Sequence, residues 1–379
     1  MTREGGPVPA RPGRRTGADG PGKTRPTIRD VARRAQVSKT TVSRVLNGKP
    51  DVDPATIELV QAVVEEMGYV PSASAVSLAR GRAHSIGLLA PALSRPWVLE
   101  VLRGVAEGIE TTDYSLTLFT TSRSEASMQE LRNQLRSQAL DGLAIMQPPW
   151  HSDPITDFPA DGTPVVLIDD RNTHPNIPSV GSADRDGIIE AIQHLASLQR
   201  HKVAIISGPI EIGCHRERLA AFREACKLAG VPARTNLICE ARDDSYRAGY
   251  QAAERLLARG ASFDALFVGN DAMALGAMRC LRAEGVDIPG EVAICGFDDI
   301  AAARFADPPL TTVYNPLYEM GGRAMRMLLD ACDGTPMPAE PQILPTRLVA
   351  RASTLGHTPE ETGPDSELLQ WADISEVEK

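Results

Sequence analysis

From Thr27 to Met67 the apolar residues fall at helical spacings. Ile28, Val31, Ala32 and Ala35 stand at offsets of 3, 4 and 7 behind Thr27 as N-cap, and so share one face of a short helix. After a turn at Gln36-Val37, Ser38 caps a second helix that carries Val42, Val45 and Leu46 inward and leaves Lys39, Thr40 and Arg44 outside. Asp53-Pro54 supplies an N-cap and a first-turn proline for a third helix, with Ile57, Val60, Val64 and Met67 inward and Gly68 as its end. Two short helices joined by a turn make a helix-turn-helix, the second suited to a major groove, and the third completes a small all-α core. From Ser85 the pattern changes. Short apolar runs, Ile86–Ala90, Leu116–Thr120, Leu143–Met146, Val165–Asp169, Val203–Ser207, Ala265–Val268 and Val292–Gly296, alternate with amphipathic helical stretches. Such alternation predicts parallel sheets with helices on both faces, an α/β fold that binds ligands beyond the carboxyl ends of its strands.

Composition adds a division of charge. The net charge of −9 is unsuited to a DNA-binding chain until it is split: residues 1–83 hold 14 Lys+Arg against 8 Asp+Glu, and the remainder 26 against 41. A basic module is joined to an acidic body, which predicts phosphate attraction by the first and repulsion of DNA by the second. At 379 residues and 42% hydrophobic content there is chain enough for two or three domains. No stretch approaches the roughly 18 to 20 apolar residues of a membrane span, and residues 1–26 lack the apolar segment of an export signal, so the cytoplasm is the expected compartment. Residues 1–26, rich in Gly, Pro and Arg, are expected to be a disordered basic tail, and residues 357–379, with seven acidic residues against Lys379, an acidic mobile one. The six cysteines show no CxxC spacing, so neither zinc ligation nor a disulfide framework is expected.

One motif misleads. Gly17 to Thr24 satisfies GxxxxGK[ST] letter for letter, the pattern of a nucleotide-binding loop. Such a loop works because a buried strand delivers it and a helix N-terminus follows; here Pro12, Gly13, Arg14 and Arg15 precede it and Arg25-Pro26 follows. Chance in a Gly/Pro-rich tail is the favoured explanation, and no cofactor or metal is implied.

The runs Thr27-Ile-Arg-Asp-Val-Ala-Arg-Arg-Ala35, Val37-Ser-Lys-Thr-Thr-Val-Ser-Arg-Val-Leu-Asn47-Gly48 and Gly68-Tyr69-Val70-Pro71 closely resemble the lactose-repressor (LacI/GalR) family. By that resemblance Lys39, Thr40 and Arg44 sit where the family reads base edges. Their chemistry agrees, since Arg and Lys suit guanine O6/N7 and Thr suits either base type or a thymine methyl. Thr27, Ser38, Thr41, Ser43 and Asn47 are assigned to phosphate contact or capping. Gln36 stands where the family usually has Gly. Residues 71–84 correspond to the family's hinge helix and linker, with Leu78, beside Ala75, at the position of a minor-groove wedge. Taken alone, Leu78 would more often pack on Val76 or the next domain; the adjoining match favours the wedge.

The resemblance continues through Ser85-Ile-Gly-Leu-Leu-Ala90, Asp141-Gly142, Pro164 to Asp169, Arg218 to Phe222, Asn270 to Gly276, Gly296-Phe-Asp-Asp299 and Pro309 to Val313. It implies that residues 85–356 fold as two lobes like a periplasmic binding protein of type I, with an effector in the cleft between them and dimerisation through the same domain. Asp169, Asn270 and Asp298 each closely follow an apolar run, as a strand-end ligand site requires. By the family match Trp97 lies near an aromatic position, Arg218 adds a forked donor, and Cys214 replaces a hydroxyl residue. Asp244 falls where several members stack an aromatic ring on the ligand. Each has a second reading: Asn270 and Asp298 suit helix N-caps, Arg218 a surface ion pair, and Trp97 beside Pro96 a loop closure.

Three functions compete: a ligand-gated DNA regulator, a cleft-binding sensor without DNA, and an NTPase. Only the first uses both halves of the chain. No HExxH or GxSxG pattern is present, and the adjacent pairs Asp169-Asp170 and Asp298-Asp299 would point to opposite sides of an extended chain, so no enzyme is expected. The family implies a homodimeric repressor on an inverted-repeat operator, controlled by a small effector, a sugar in the familiar cases.

Overall fold

The computed structural model describes residues 26–46, 48–69, 82–120, 140–148, 162–171, 174, 176–260 and 262–357, in two compact units that divide between Ala83 and His84. In the first, α1 (Ile28–Arg34), α2 (Lys39–Leu46) and α3 (Pro54–Met67) close around Val31, Val42 and Val60, none of which has exposed surface. The termini follow the sequence. The Asp30 carboxylate accepts from the backbone N–H of Thr27 at 3.0 Å and from its hydroxyl at 2.7 Å. Ser38 Oγ accepts from the Thr41 N–H at 3.0 Å, and Asp53 from the Thr56 N–H at 3.3 Å. These side chains satisfy donors that a helix start otherwise leaves open. Gln36 holds φ at 54° between α1 and α2, the left-handed conformation in which glycine alone is unstrained.

The second unit contains two sheets. β1 (Ser85–Ala90), β2 (Ser115–Thr120), β3 (Gly142–Met146), β4 (Val165–Ile168), β5 (Ser179–Ser182) and β11 (Gln342–Leu344) form an all-parallel sheet in the order β11-β5-β4-β3-β1-β2. β6 (Val203–Ser207), β7 (Ile238–Glu240), β8 (Ala265–Val268), β9 (Ala293–Asp298), β10 (Thr311–Tyr314) and β12 (Arg347–Val349) form the other, in the order β12-β10-β9-β8-β6-β7, parallel except for β12 against β10. On the first sheet, α4 (Pro96–Glu110) packs with α10 (Leu317–Cys332) over Ile86, Leu88, Ala144, Val166 and Ile168. On the second, α5 (Asp184–Ser197) and α6 (Gly213–Leu228) cover Val203, Ile205 and Phe267, while α7 (Tyr246–Ala258) and α8 (Asp271–Ala283) cover Ala204, Ile206 and Leu266. The short α9 (Ala301–Arg304) and α11 (Ala352–Leu355) complete this lobe.

All seven expected strands are present, five with shifted ends: β1, β2 and β3 each begin one residue earlier, β4 stops at Ile168, and β9 runs from Ala293 to Asp298. The central strands β3, β4, β6, β8 and β9 are buried throughout, which is why they read as unbroken apolar runs. Sequence reasoning did not find β5, β7, β10, β11 and β12. Each has only three or four residues, and Ser, Glu, Thr, Gln or Arg within them breaks or shortens the apolar run.

The chain passes between lobes at residue 183, at 315–316 and at 345–346. Thr346 ties two of these crossings together: its hydroxyl donates to the Ala183 carbonyl at 2.7 Å and accepts from the Gly187 N–H at 3.1 Å.

Candidate functional site

On α2, Lys39, Thr40 and Arg44 are exposed, on the side opposite the buried Val42 and Val45. Arg44 is engaged: its guanidinium lies 2.8 Å from the Asp51 carboxylate, with both side chains 52% exposed. The hydroxyl of Thr27 is committed to Asp30, and that of Ser38 lies 2.8 Å from the Thr41 hydroxyl, so all three act as helix-start groups in this structure. Ser43 is half-buried. Asn47, Ala75 and Leu78 lie outside the described residues, as do the two tails and the Gly17–Thr24 motif.

In the second unit, Trp97, Asp169, Cys214, Arg218, Asp244, Asn270 and Asp298 line one cavity between the lobes, together with Gln147, His215, Asn315 and Leu317. Strand ends do most of this placing. Gln147 and Asp169 directly follow β3 and β4, Asp298 ends β9, and Asn270 follows β8 by two residues. Gln147, Asp169 and Asp298 all carry positive φ, at 43°, 63° and 114°, so the backbone turns sharply where the cleft begins. That turn sorts the adjacent carboxylates. Asp169 and Asp298 face the cavity, whereas Asp170 binds His174 at 2.5 Å and Asp299 binds the buried Arg351 at 2.7 Å.

Several alternatives are thereby resolved. Asn270 both lines the cavity and caps α8, its Oδ1 accepting from the Met273 N–H at 2.8 Å. Asp298 is a strand residue and caps nothing. Arg218 is 5% exposed, which excludes a surface ion pair: its Nε donates to Asp184 at 2.7 Å, its Nη1 to the Gly269 carbonyl at 2.7 Å, and its guanidinium lies 3.7 Å over the Phe297 ring. Trp97 belongs to the first turn of α4 and to the core of its lobe.

Charge is balanced within the cleft wall. Arg171, two residues beyond Asp169, reaches Asp169 at 2.5 Å in its own lobe and Asp184 at 2.9 Å in the other. Burial alone would raise the Asp184 carboxyl, but Arg171, Arg218 and the Ser182 hydroxyl hold it down to about 2. Asp298 has weaker compensation: burial pushes it up to about 6 against the pull of Arg218, 3.5 Å away, and of the Asn315 amide, 3.1 Å away. Burial, with Arg218, Arg95 and Arg171 nearby, holds His215 down to about 3, so this ring is neutral, and it leaves Nδ1 without a hydrogen-bond partner. Burial pushes the Cys214 thiol up to about 12; it is a polar wall atom rather than a nucleophile, 3.5 Å from the Gln147 amide. The arrangement offers carboxylate and amide acceptors, amide and guanidinium donors, and one indole ring, which suits recognition of a hydroxyl-rich molecule. Among the described residues, no group of three or more His, Cys, Asp or Glu side chains is set to hold a metal ion, and no helix is long and apolar enough to cross a membrane.

Known proteins show the same organisation. Residues 27–72 match the family model "Bacterial regulatory proteins, lacI family", and residues 192–354 match "Periplasmic binding protein-like domain". Catabolite control protein A of Priestia megaterium is 31% identical over 329 residues, spanning 86% of this chain and 99% of that protein. The chain belongs to the lacI family. The ribose operon repressor of Escherichia coli (strain K12), another relative, is 33% identical over 306 residues, 80% of this chain and 92% of that one. A lac repressor dimer bound to operator and the anti-inducer ONPF shares the fold at a TM-score of 0.78 and 28% identity, covering 87% of this chain and 99% of that one. The complex of the transcriptional regulator CelR with cellobiose does so at 0.67 and 31%, covering 87% and 100%.

For a lacI-family chain the residues that sequence reasoning missed are informative. Gln147 obeys the same rule as Asp169, a polar residue directly after an apolar strand, and could have been found by it. Arg95, Arg171, Asp184, His215 and Asn315 carry no such mark.

Proposed function

We propose that this lacI-family regulator is a homodimeric repressor that binds an inverted-repeat operator through α2, and that a sugar in the cleft between its lobes controls that binding. The observation that carries the control is the convergence of both lobes' strand-end polar groups on one cavity. The names of its relatives support a sugar: one is the repressor of a ribose operon, and the CelR structure is a complex with cellobiose. The dimer on operator DNA supports the oligomeric state. Lys39, Thr40 and Arg44 read bases, Thr27, Ser38, Thr41, Ser43 and Asn47 fix the helix on phosphates, and residues 71–84, with Leu78 and Ala75, carry the state of the cleft to the DNA. The protein works by binding alone, without catalysis, in the cytoplasm where its operator is.

The test begins with selection of bound duplexes from a random pool by the full chain, which is expected to enrich one palindromic site. A thermal-shift screen of sugars follows, in which a ligand at 100 times its Kd stabilises by about 2.7 kcal/mol. Each hit is then added to a gel shift on the selected site. Leu78→Ala is expected to weaken operator binding strongly at unchanged sugar affinity. No enriched site, or hits that leave the gel shift unmoved, would defeat this assignment.

A further inference from the structure

Arg95 and Asp244 meet across the cleft although 149 residues separate them. Arg95 is the N-cap of α4 on the first lobe; Asp244 precedes Ser245, the N-cap of α7 on the second. Arg95 Nη1 donates to Asp244 Oδ2 at 2.7 Å, with the two side chains 22% and 8% exposed. Arg171 also bridges the lobes, but Asp169 holds it within its own lobe and Asp184 has Arg218 as a second cation. The Arg95–Asp244 pair has no such support. Among the described residues each is the other's only ion-pair partner, so the contact exists only while the lobes are together.

Geometry makes the pair an obstacle. With it formed, the cavity that Asp244 and Trp97 line has a volume of about 10 Å³, the room of one water. A small-ligand pocket needs roughly 300 Å³ or more. Nothing of a sugar's size enters unless the lobes part, and parting them separates the two charges.

We propose that Arg95 and Asp244 form a latch that holds the cleft shut without effector, and that they select for effectors able to replace each charge's partner. The effector must bring an acceptor to the guanidinium and a donor to the carboxylate, which vicinal hydroxyls of a polyol supply together. A ligand presenting an apolar face here would leave both charges unpaired in a closed cleft, and would be rejected for that reason. The proposal rests on the cleft being the effector site.

The chain has three tryptophans, so Trp150→Phe and Trp371→Phe leave Trp97, 7% exposed and beside Arg95, as the sole emitter in the full chain. Acrylamide quenching of Trp97, measured without effector, then reports opening. Asp244→Asn and Arg95→Gln are each expected to raise the quenching constant about threefold, and the double variant no further than the larger single effect. Unchanged quenching in the single variants, or effects that add in the double, overturns the latch. If Asp244→Asn fails to fold by far-UV circular dichroism, Arg95→Gln at the better exposed end decides alone. The measurement uses no effector, so the latch can fail while sugars still bind, and a sugar screen can fail with the latch intact.

Discussion

Arg218 concentrates what the cleft requires of one side chain. Its planar fork serves Asp184 and the Gly269 carbonyl, approaches Asp298 at 3.5 Å and stacks on Phe297, all within the interior. Lysine keeps the charge but has one nitrogen and no plane, so Arg218→Lys leaves buried carboxylates underpaired. A loss of about 3 kcal/mol in urea unfolding is expected; a loss below about 1 kcal/mol would show that the fork is dispensable. Asp298 and Asp184 give opposite pH dependences. The folded Asp298 value, about 6, lies above the unfolded one near 4, so its contribution to stability is complete below about pH 4 and is lost as pH rises through 6. Asp184, held at about 2, contributes above about pH 4, and that contribution is lost as pH falls toward 2. Asp298→Asn is therefore expected to flatten the decline in Tm between pH 4 and 7 while leaving the acid limb in place. An unaltered profile would assign the decline to other groups.

Among the elements, the turn between α1 and α2 and the helix pairs of the lobes show where local rules are strained or overruled. Gln36 carries a left-handed φ of 54° that costs a side-chain residue about 1 kcal/mol, so Gln36→Gly is expected to raise the melting temperature of the first unit slightly with α2 unchanged. A fall would mean that the Gln36 side chain makes a stabilising contact. In each lobe two helices touch backbone to backbone at glycines. A Cβ on Gly104 would lie 1.9 Å from the Tyr318 carbonyl oxygen, and one on Gly276 1.9 Å from that of Tyr246. Gly276→Ala must push α7 and α8 apart, and about 2 kcal/mol of destabilisation by thermal melting is expected; an unchanged Tm would show that the pair can separate freely. Helices and the longer strands were legible because caps and apolar periods are local. The strands of three or four residues that polar side chains interrupt were not, since one such as Arg347–Val349 takes its pairing from β10 rather than from its own pattern.

At the scale of the whole chain, a basic helical module and an acidic two-lobed body divide DNA binding from effector binding, and coupling between them must be reciprocal. A sugar that weakens operator binding tenfold is expected to bind about tenfold more weakly, by calorimetry, when the operator duplex is present. Equal sugar affinity with and without operator would mean that the cleft and α2 are not linked. The amino-acid sequence by itself determined the helix starts at Thr27, Ser38 and Asp53, the central strands, and the polar residues that follow those strands into the cleft. All of these depend on neighbours within a few positions along the chain. Only the tertiary structure decided which carboxylate of each adjacent pair faces the cavity, that Arg171 and Arg218 share Asp184, and that Arg95 closes on Asp244. The first depends on positive φ values that no side-chain pattern encodes. The others are meetings of distant residues, made possible by the passages between the lobes at residues 183, 315–316 and 345–346.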